Sequence, residues 1–183
     1  MTTAPAADRY ALAKAALSQL PHPVVVIGAA NGGGERSCAT GTAMYVSHAP
    51  PQVVIALHPG SHTAKLIDRS GQFSVSVLTQ AQQDVAEAAG RSAPSGQDKF
   101  TALGIPVADP PAGATAPAVA GSLAILWCRV VHRVPSGDHV VQIGEVVAHA
   151  EDPTKLDALL RFRRRYFNIG HWTSDESPEG YPT

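Results

Sequence analysis

The side chains of this chain best suited to chemistry are its 8 histidines, its 2 cysteines, a hydroxyl-rich run from Ser37 to Ser47 and an arginine cluster at Arg161 and Arg163 to Arg165. His58 and His62 lie four apart, the spacing at which a helix presents two metal ligands. Pro59-Gly60 breaks any such helix and no third ligand is evident, so no metal site is expected. Gly28 to Gly34 is glycine-rich after an apolar run, as a phosphate-cradling turn would be. The spacing is not GxGxxG, and Glu35 to Val46 reads as β rather than as the helix whose N-terminus would face a pyrophosphate. The stretch is therefore expected to be a hairpin. No Walker A sequence and no GxSxG elbow occurs. Cys38 and Cys128 are far apart without CxxC spacing and read as small buried side chains, although the sequence leaves a disulfide between them open. An arginine cluster of this kind ordinarily forms a solvated face.

These residues need elements to position them. An Ala-rich helix is expected from about Asp8 to Leu20, ended by Pro21-His22-Pro23. Val24 to Ala30 is a buried strand, and Asn31-Gly32-Gly33-Gly34 turns it back because Asn and Gly tolerate positive φ. A second strand carries Ser37 to Val46, stopped by Pro50-Pro51, and Gln52 to His58 is a third. Pro59-Gly60-Ser61 leads into a short helix over Ala64 to Arg69. In Phe73 to Leu78, Phe73, Val75 and Val77 alternate with Ser74 and Ser76, the period of a strand. Gln80 to Ala89 reads as a helix and Arg91 to Gln97 as a flexible loop. The Pro/Ala/Gly-rich stretch Val107 to Ala120 is expected to be an irregular excursion or lid that buries little. Long strands over Ser122 to Val134 and Val140 to His149 flank the turn Pro135-Ser136-Gly137-Asp138. Thr154 to Phe162 is expected to be a last helix, with a frayed tail from Thr173. Strands joined by hairpins, with short helices inserted, favour an antiparallel barrel over a doubly wound sheet.

The 183 residues suffice for one domain with a sizeable core, and 44% are hydrophobic. With 14 basic and 15 acidic residues, the formal net charge of −1 gives no drive toward nucleic acid or an anionic membrane. No apolar run approaches the ~20 residues of a bilayer-spanning helix, and the first residues lack the basic and apolar regions of a signal peptide. A soluble, cytoplasmic protein is expected.

The run Ser37-Cys38-Ala39-Thr40-Gly41-Thr42-Ala43-Met44-Tyr45-Val46-Ser47-His48-Ala49-Pro50-Pro51 resembles the flavin-binding strand and turn of the flavin reductase family. There a strand rich in Thr, Ser and small residues ends in a Ser-x-x-Pro-Pro turn. Ser61-His62-Thr63 resembles the phosphate-side segment of that family, and Gly71 to Leu78 its Gly-x-Phe-x-Val-x-Val-Leu strand. Asp98-Lys99-Phe100 and Gly137-Asp138-His139 resemble further short motifs in the same order. The likeness extends from about Pro21 to Tyr166. One departure is Ala39, where the family commonly has Thr.

The resemblance implies a mainly β chain with inserted helices, an FMN-binding split β-barrel of Greek-key type. Its domain would span 21–170, preceded by a helix over 1–20 and followed by a flexible tail over 171–183. It implies an NAD(P)H-dependent flavin reductase moving hydride from NADH or NADPH to FMN or FAD, a homodimer, and a flavin-dependent monooxygenase as possible partner. Small residues at Gly41 and Ala43 would let a flat ring lie close to the backbone, while main-chain N–H groups and the hydroxyls of Thr40 and Thr42 bond its polar edge. Ser47 belongs to the same run, and Lys99-Phe100 to a neighbouring motif. Ser61 and Thr63 would donate to the phosphate, with Lys65 or Lys99 supplying charge; a loop cap and surface lysines are the plainer alternatives. Arg165-Tyr166 matches an Arg-Tyr that lies by the flavin, and His139 a histidine beside the nicotinamide, the plainer alternative being a turn-end histidine. A flavin-carrying electron-transfer or sensor protein without nicotinamide turnover is the second reading. A split barrel for another planar ligand, such as haem or a deazaflavin, is the third.

Overall fold

The computed structural model describes residues 6–93, 97–155 and 157–169. The expected tail and part of the expected Arg91–Gln97 loop lie outside them. Helix α1 (Ala6–Leu17) is followed by a short β1 (His22–Pro23), then β2 (Val25–Ala30) and β3 (Arg36–Gly41). The hairpin between β2 and β3 is held by Asn31, whose Oδ1 accepts the N–H groups of Gly33 and Glu35 at 3.0 and 3.1 Å. The glycine-rich stretch is thus a turn between strands, as expected. β4 (Ala43–His48), β5 (Pro51–Leu57), α2 (His62–Ser70) and β6 (Gln72–Val77) come next. After a single 3-10 turn, α3 (Gln83–Ala89) and α4 (Lys99–Ala102) precede the short pair β7 (Val107–Ala108) and β8 (Ala118–Val119). The long hairpin of β9 (Ala124–Ser136) and β10 (His139–Glu151) and a small one, β11 (Leu159–Phe162) with β12 (Arg165–Asn168), complete the chain.

Seven strands form one antiparallel sheet in the order β3-β2-β6-β9-β10-β5-β4. The expected single strand over Ser37 to Val46 is therefore two strands at opposite edges of the sheet, joined through Thr42 alone. A two-residue step covers at most about 7 Å, so the sheet must curl until its edges meet at this corner. No ladder joins β3 to β4 among the described residues, and the curled sheet stays open. The fold is mainly antiparallel β with a few helices, as expected at that level.

Every residue of β2 is buried, because its alternate faces feed different cores. Val25 and Ile27 pack with Ile55, Leu66, Ile67 and Phe73 beneath α2. Val24 and Val26 pack with Cys38, Leu78, Phe100 and Leu159 on the opposite face. Burial on both sides is why this strand reads as a continuous apolar run, and each large side chain so buried contributes about 1.5–3 kcal/mol. At Gly144 a Cβ would come within 2.5 Å of the Phe73 ring, so only glycine lets β10 pass over the core there.

Two further expectations are corrected. Thr154 to Phe162 is not a helix: Leu159 N–H donates to Leu78 O and Leu159 O accepts from Val24 N, at 2.9 and 2.8 Å. Backbone groups claimed by neighbouring strands cannot also bond within a helix. Val107 to Ala120 is no loose lid either, since Ala116, Ala118 and Val119 are at most 1% exposed. Ser74 Oγ donates to Pro117 O at 2.6 Å, Ser76 Oγ accepts Val119 N–H at 2.9 Å and Trp127 Nε1 donates to Ala116 O at 3.0 Å. Small residues pack there by letting backbone approach backbone rather than by filling volume. Both cysteines are free and buried. No helix among the described residues is long and apolar enough to cross a membrane.

Candidate functional site

A cleft of about 640 Å³ opens between the β3 edge, the start of α2 and the end of α3. Local chemistry sets each wall. Ser61 caps α2, its Oγ accepting from Ala64 N at 3.2 Å, and this places the N-terminal turn of the helix at the cleft. Thr63 Oγ1 lies 3.0 Å from Ser37 Oγ across to β3, both residues buried. The two hydroxyls share one hydrogen bond, so one of their protons is left for an acceptor. Lys99 Nζ donates to Cys38 O at 2.7 Å and Ala89 O at 2.8 Å, tying β3 to the end of α3. An ammonium has three N–H groups, so one remains. Burial pulls the Lys99 ammonium below the usual lysine range. Burial likewise pushes the Cys38 thiol up to about 12, despite the charge of Lys99, so this cleft residue is not a thiolate nucleophile. Thr40 Oγ1 donates to Ala86 O at 2.7 Å and keeps only acceptor capacity.

The cleft thus brings together Thr40, Ser61, Thr63 and Lys99. Gly41, Thr42 and Ala43 continue from it round the corner where the sheet edges meet. The other expected residues lie elsewhere. Ser47 lines a second cleft, about 740 Å³, with Tyr45, His48, Val147 and His149. Phe100 is wholly buried and forms core. Arg165 and Tyr166 sit on β12, in a separate three-stranded sheet. Tyr166 packs against the second core with the Arg161 guanidinium 5.4 Å from its ring centroid. His139 opens β10, half-exposed, with Nδ1 2.7 Å from Asp138 Oδ1. That hydrogen bond, then the imidazole's charge, holds the Asp138 carboxyl below its usual range. His139 meets His58 edge-on at 6.3 Å between ring centroids. His58 Nδ1 in turn accepts Gly60 N–H at 3.1 Å, and Gly60 lines the first cleft.

Several cleft residues were not singled out as ligands from the sequence: Glu35, Ala39, His62, Gly90, Arg91 and Gln97. Glu35 and Arg91 carry no local signal, because one sits at a hairpin and the other in a loop. Ala39 lines the cleft, so the position at which the resemblance implies a threonine offers the site no hydroxyl. Among the described residues no group of three or more His, Cys, Asp or Glu could hold a metal.

The family model described as "Flavin reductase like domain" matches residues 17–170. The chain belongs to the flavin reductase family. It is 32% identical over 156 residues to the actinorhodin polyketide dimerase of Streptomyces coelicolor, covering 80% of each chain. It is 34% identical over 134 residues to the reductase subunit HsaB of a flavin-dependent monooxygenase of Mycobacterium tuberculosis, covering 69% of this chain and 68% of that one. Among solved structures, a homologue of nitrilotriacetate monooxygenase component B from Mycobacterium thermoresistibile superposes with a TM-score of 0.80 at 29% identity, covering 98% and 95% of the two chains. The NADH:FAD oxidoreductase of Streptomyces globisporus shares the fold, with a TM-score of 0.81 at 24% identity over 93% of this chain and 99% of that one. The expectation of an oxidoreductase that reduces flavin is met at the level of the family.

Proposed function

We propose that this chain holds FMN or FAD in the cleft between β3 and α2 and passes to it a hydride from NADH or NADPH. The observation that carries the reading is the convergence on one cleft of the α2 N-terminal turn, a spare hydroxyl proton of the Ser37–Thr63 pair and the third N–H of Lys99, in a chain of this family. These donors suit a phosphate. Further along β3, Thr40 offers a lone pair that fits an N–H of the flavin pyrimidine ring, and the main chain of Gly41 to Ala43, with Thr42, lies against the ring.

When bound, the flavin supplies the hydride-accepting centre, so the transfer requires no acid–base side chain. The chain's task is to hold two flat partners in register and to aim hydrogen-bond donors at the charge that develops. His139 orients the nicotinamide: the Asp138 carboxylate takes its Nδ1–H, leaving Nε2 to accept from the carboxamide. Ser47, Phe100, Arg165 and Tyr166 complete the assignment from outside the cleft, Phe100 by supporting α4 from the core.

The curled sheet with edges meeting at Thr42 is read as a split barrel within a domain over 21–170, in a cytoplasmic protein. A homodimer forms through the exposed apolar strip of Met44, Tyr45, Val46 and Val147 beside the second cleft. Supply of reduced flavin to a monooxygenase accords with the name of the Mycobacterium tuberculosis relative. The test is the visible absorbance of protein with one equivalent of flavin, kept anaerobic, as NADH or NADPH is added. Bleaching of the oxidised-flavin bands faster than with free flavin is expected. Bound flavin that stays oxidised with both donors would replace this reading with that of a carrier or sensor.

A further inference from the structure

His62 is the first residue of α2, between Ser61 and Thr63, and it lines the cleft together with Glu35 of the β2–β3 hairpin. Its Nε2 lies 3.0 Å from Glu35 Oε1. Glu35 is itself fixed: Asn31 Nδ2 donates to its Oε2 at 2.8 Å, Asn31 Oδ1 accepts its N–H, and Arg69 stands 3.8 Å away. A carboxylate on the wall of a cleft that receives an anion opposes the ligand unless a neighbour answers its charge.

The charge of the His62 ring decides whether Glu35 is answered. The imidazolium carries a positive charge at ion-pair distance from Glu35 and an N–H on each nitrogen, so it can answer the carboxylate and donate to a phosphate oxygen. The neutral ring has a single N–H and no charge, and it leaves the Glu35 carboxylate opposing the phosphate.

We propose that His62, held by Glu35, is a specificity residue of the flavin cleft that grips phosphate only as the imidazolium. Phosphorylated flavins then bind with uptake of a proton, and riboflavin does not. The inference rests on reading this cleft as the flavin site. The other charged or titratable groups around it are Cys38 on β3, Arg69 on α2 beside Glu35, His58 beside Gly60, and Arg91 and Lys99 on the far wall. Of these side-chain types only histidine ordinarily changes charge near neutral pH, so His58→Gln is the control.

FAD is the probe, because a phosphate monoester such as that of FMN itself titrates near pH ~6. FAD and riboflavin affinities are measured by flavin fluorescence at about pH 6 and about pH 8, on either side of the usual histidine range, alongside nitrogen-resolved NMR of the histidine rings. FAD affinity is expected to fall about tenfold at the higher pH, the worth of one charge-assisted donor, while riboflavin affinity stays level. His62→Gln, which keeps a donor toward Glu35, abolishes the slope; His58→Gln retains it; and FAD shifts the His62 ring resonances toward the protonated form. A flat FAD profile in the unaltered protein, or a slope that survives in His62→Gln, overturns the proposal while leaving the flavin site intact. Failure of every flavin to bind at either pH overturns both.

Discussion

At the scale of single residues, the site is a matter of which donors and acceptors remain after the fold has used the rest. Lys99 spends two N–H groups on carbonyls, and Thr40 spends its proton on Ala86 O, so each offers the cleft one kind of contact. His139 is placed by the same logic, with Asp138 occupying Nδ1. His139→Ala should raise the apparent Michaelis constant for NADH about tenfold, the cost of one lost hydrogen bond. Flavin affinity, which rests on the donors of the first cleft rather than on His139, should change about twofold at most on the same scale. Steady-state kinetics with a parallel flavin titration measure both, and unchanged kinetics would remove His139 from the assignment. None of this arithmetic was legible in the sequence. The types Thr, Lys and His are visible there, but which of their hydrogen bonds are already taken depends on Ala86, Cys38 and Ala89, distant in the chain.

At the scale of elements, the cleft walls are held by short local devices. Asp98 caps α4 by accepting from Phe100 N at 3.0 Å, bonds Thr101, and receives Arg36 Nε of β3 at 2.9 Å. Burial pushes the Asp98 carboxyl up, but the hydrogen bonds from Arg36 and Thr101, the Arg36 charge and the Phe100 N–H together outweigh it and hold the group below its usual range. A carboxyl depressed in the folded state contributes stability above its unfolded value, and that contribution is lost as pH falls through the folded one. Asp98→Asn keeps the cap but not the ion pair. It should cost about 1 kcal/mol near neutral pH, a melting shift of about 2–4 °C. Between about pH 5 and about pH 3 its melting temperature should fall less than that of the unaltered protein. Thermal melts across that range check the sign, and parallel curves would show that Asp98 does not carry the acid sensitivity. Sequence signals served well where they were local: the Asn31 hairpin, the α2 start at Ser61 and the alternation in β6 all lie where their residues direct. They misled over Thr154 to Phe162, where strand partners claimed the backbone.

At the scale of the whole molecule, the curl of the seven-stranded sheet brings β3 and β4 to one corner and leaves β4 as an edge with apolar side chains turned outward. Tyr45 is 68% exposed and Met44 62%, an unusual cost for an isolated chain and an ordinary feature of a subunit surface. Tyr45→Glu should raise the dimer dissociation constant at least about 30-fold, as expected for loss of an aromatic anchor. Sedimentation velocity at micromolar protein reads this directly. An unaltered protein that sediments as a monomer and retains activity would refute the dimer.

The sequence by itself determined the mainly β class of the fold, the β2–β3 and β9–β10 hairpins, and the family, through motifs spread from Ser37 to His139. Those features are written in short-range periodicity and turn chemistry, which act over a few residues. Only the tertiary structure decided that one hydroxyl-rich run divides between opposite edges of a sheet. It also decided that a proline-rich excursion is stitched onto β6, and that Glu35 meets His62 on the wall of a cleft. Each of these depends on how far the sheet twists and curls, a sum over all its strands that no local stretch of sequence contains.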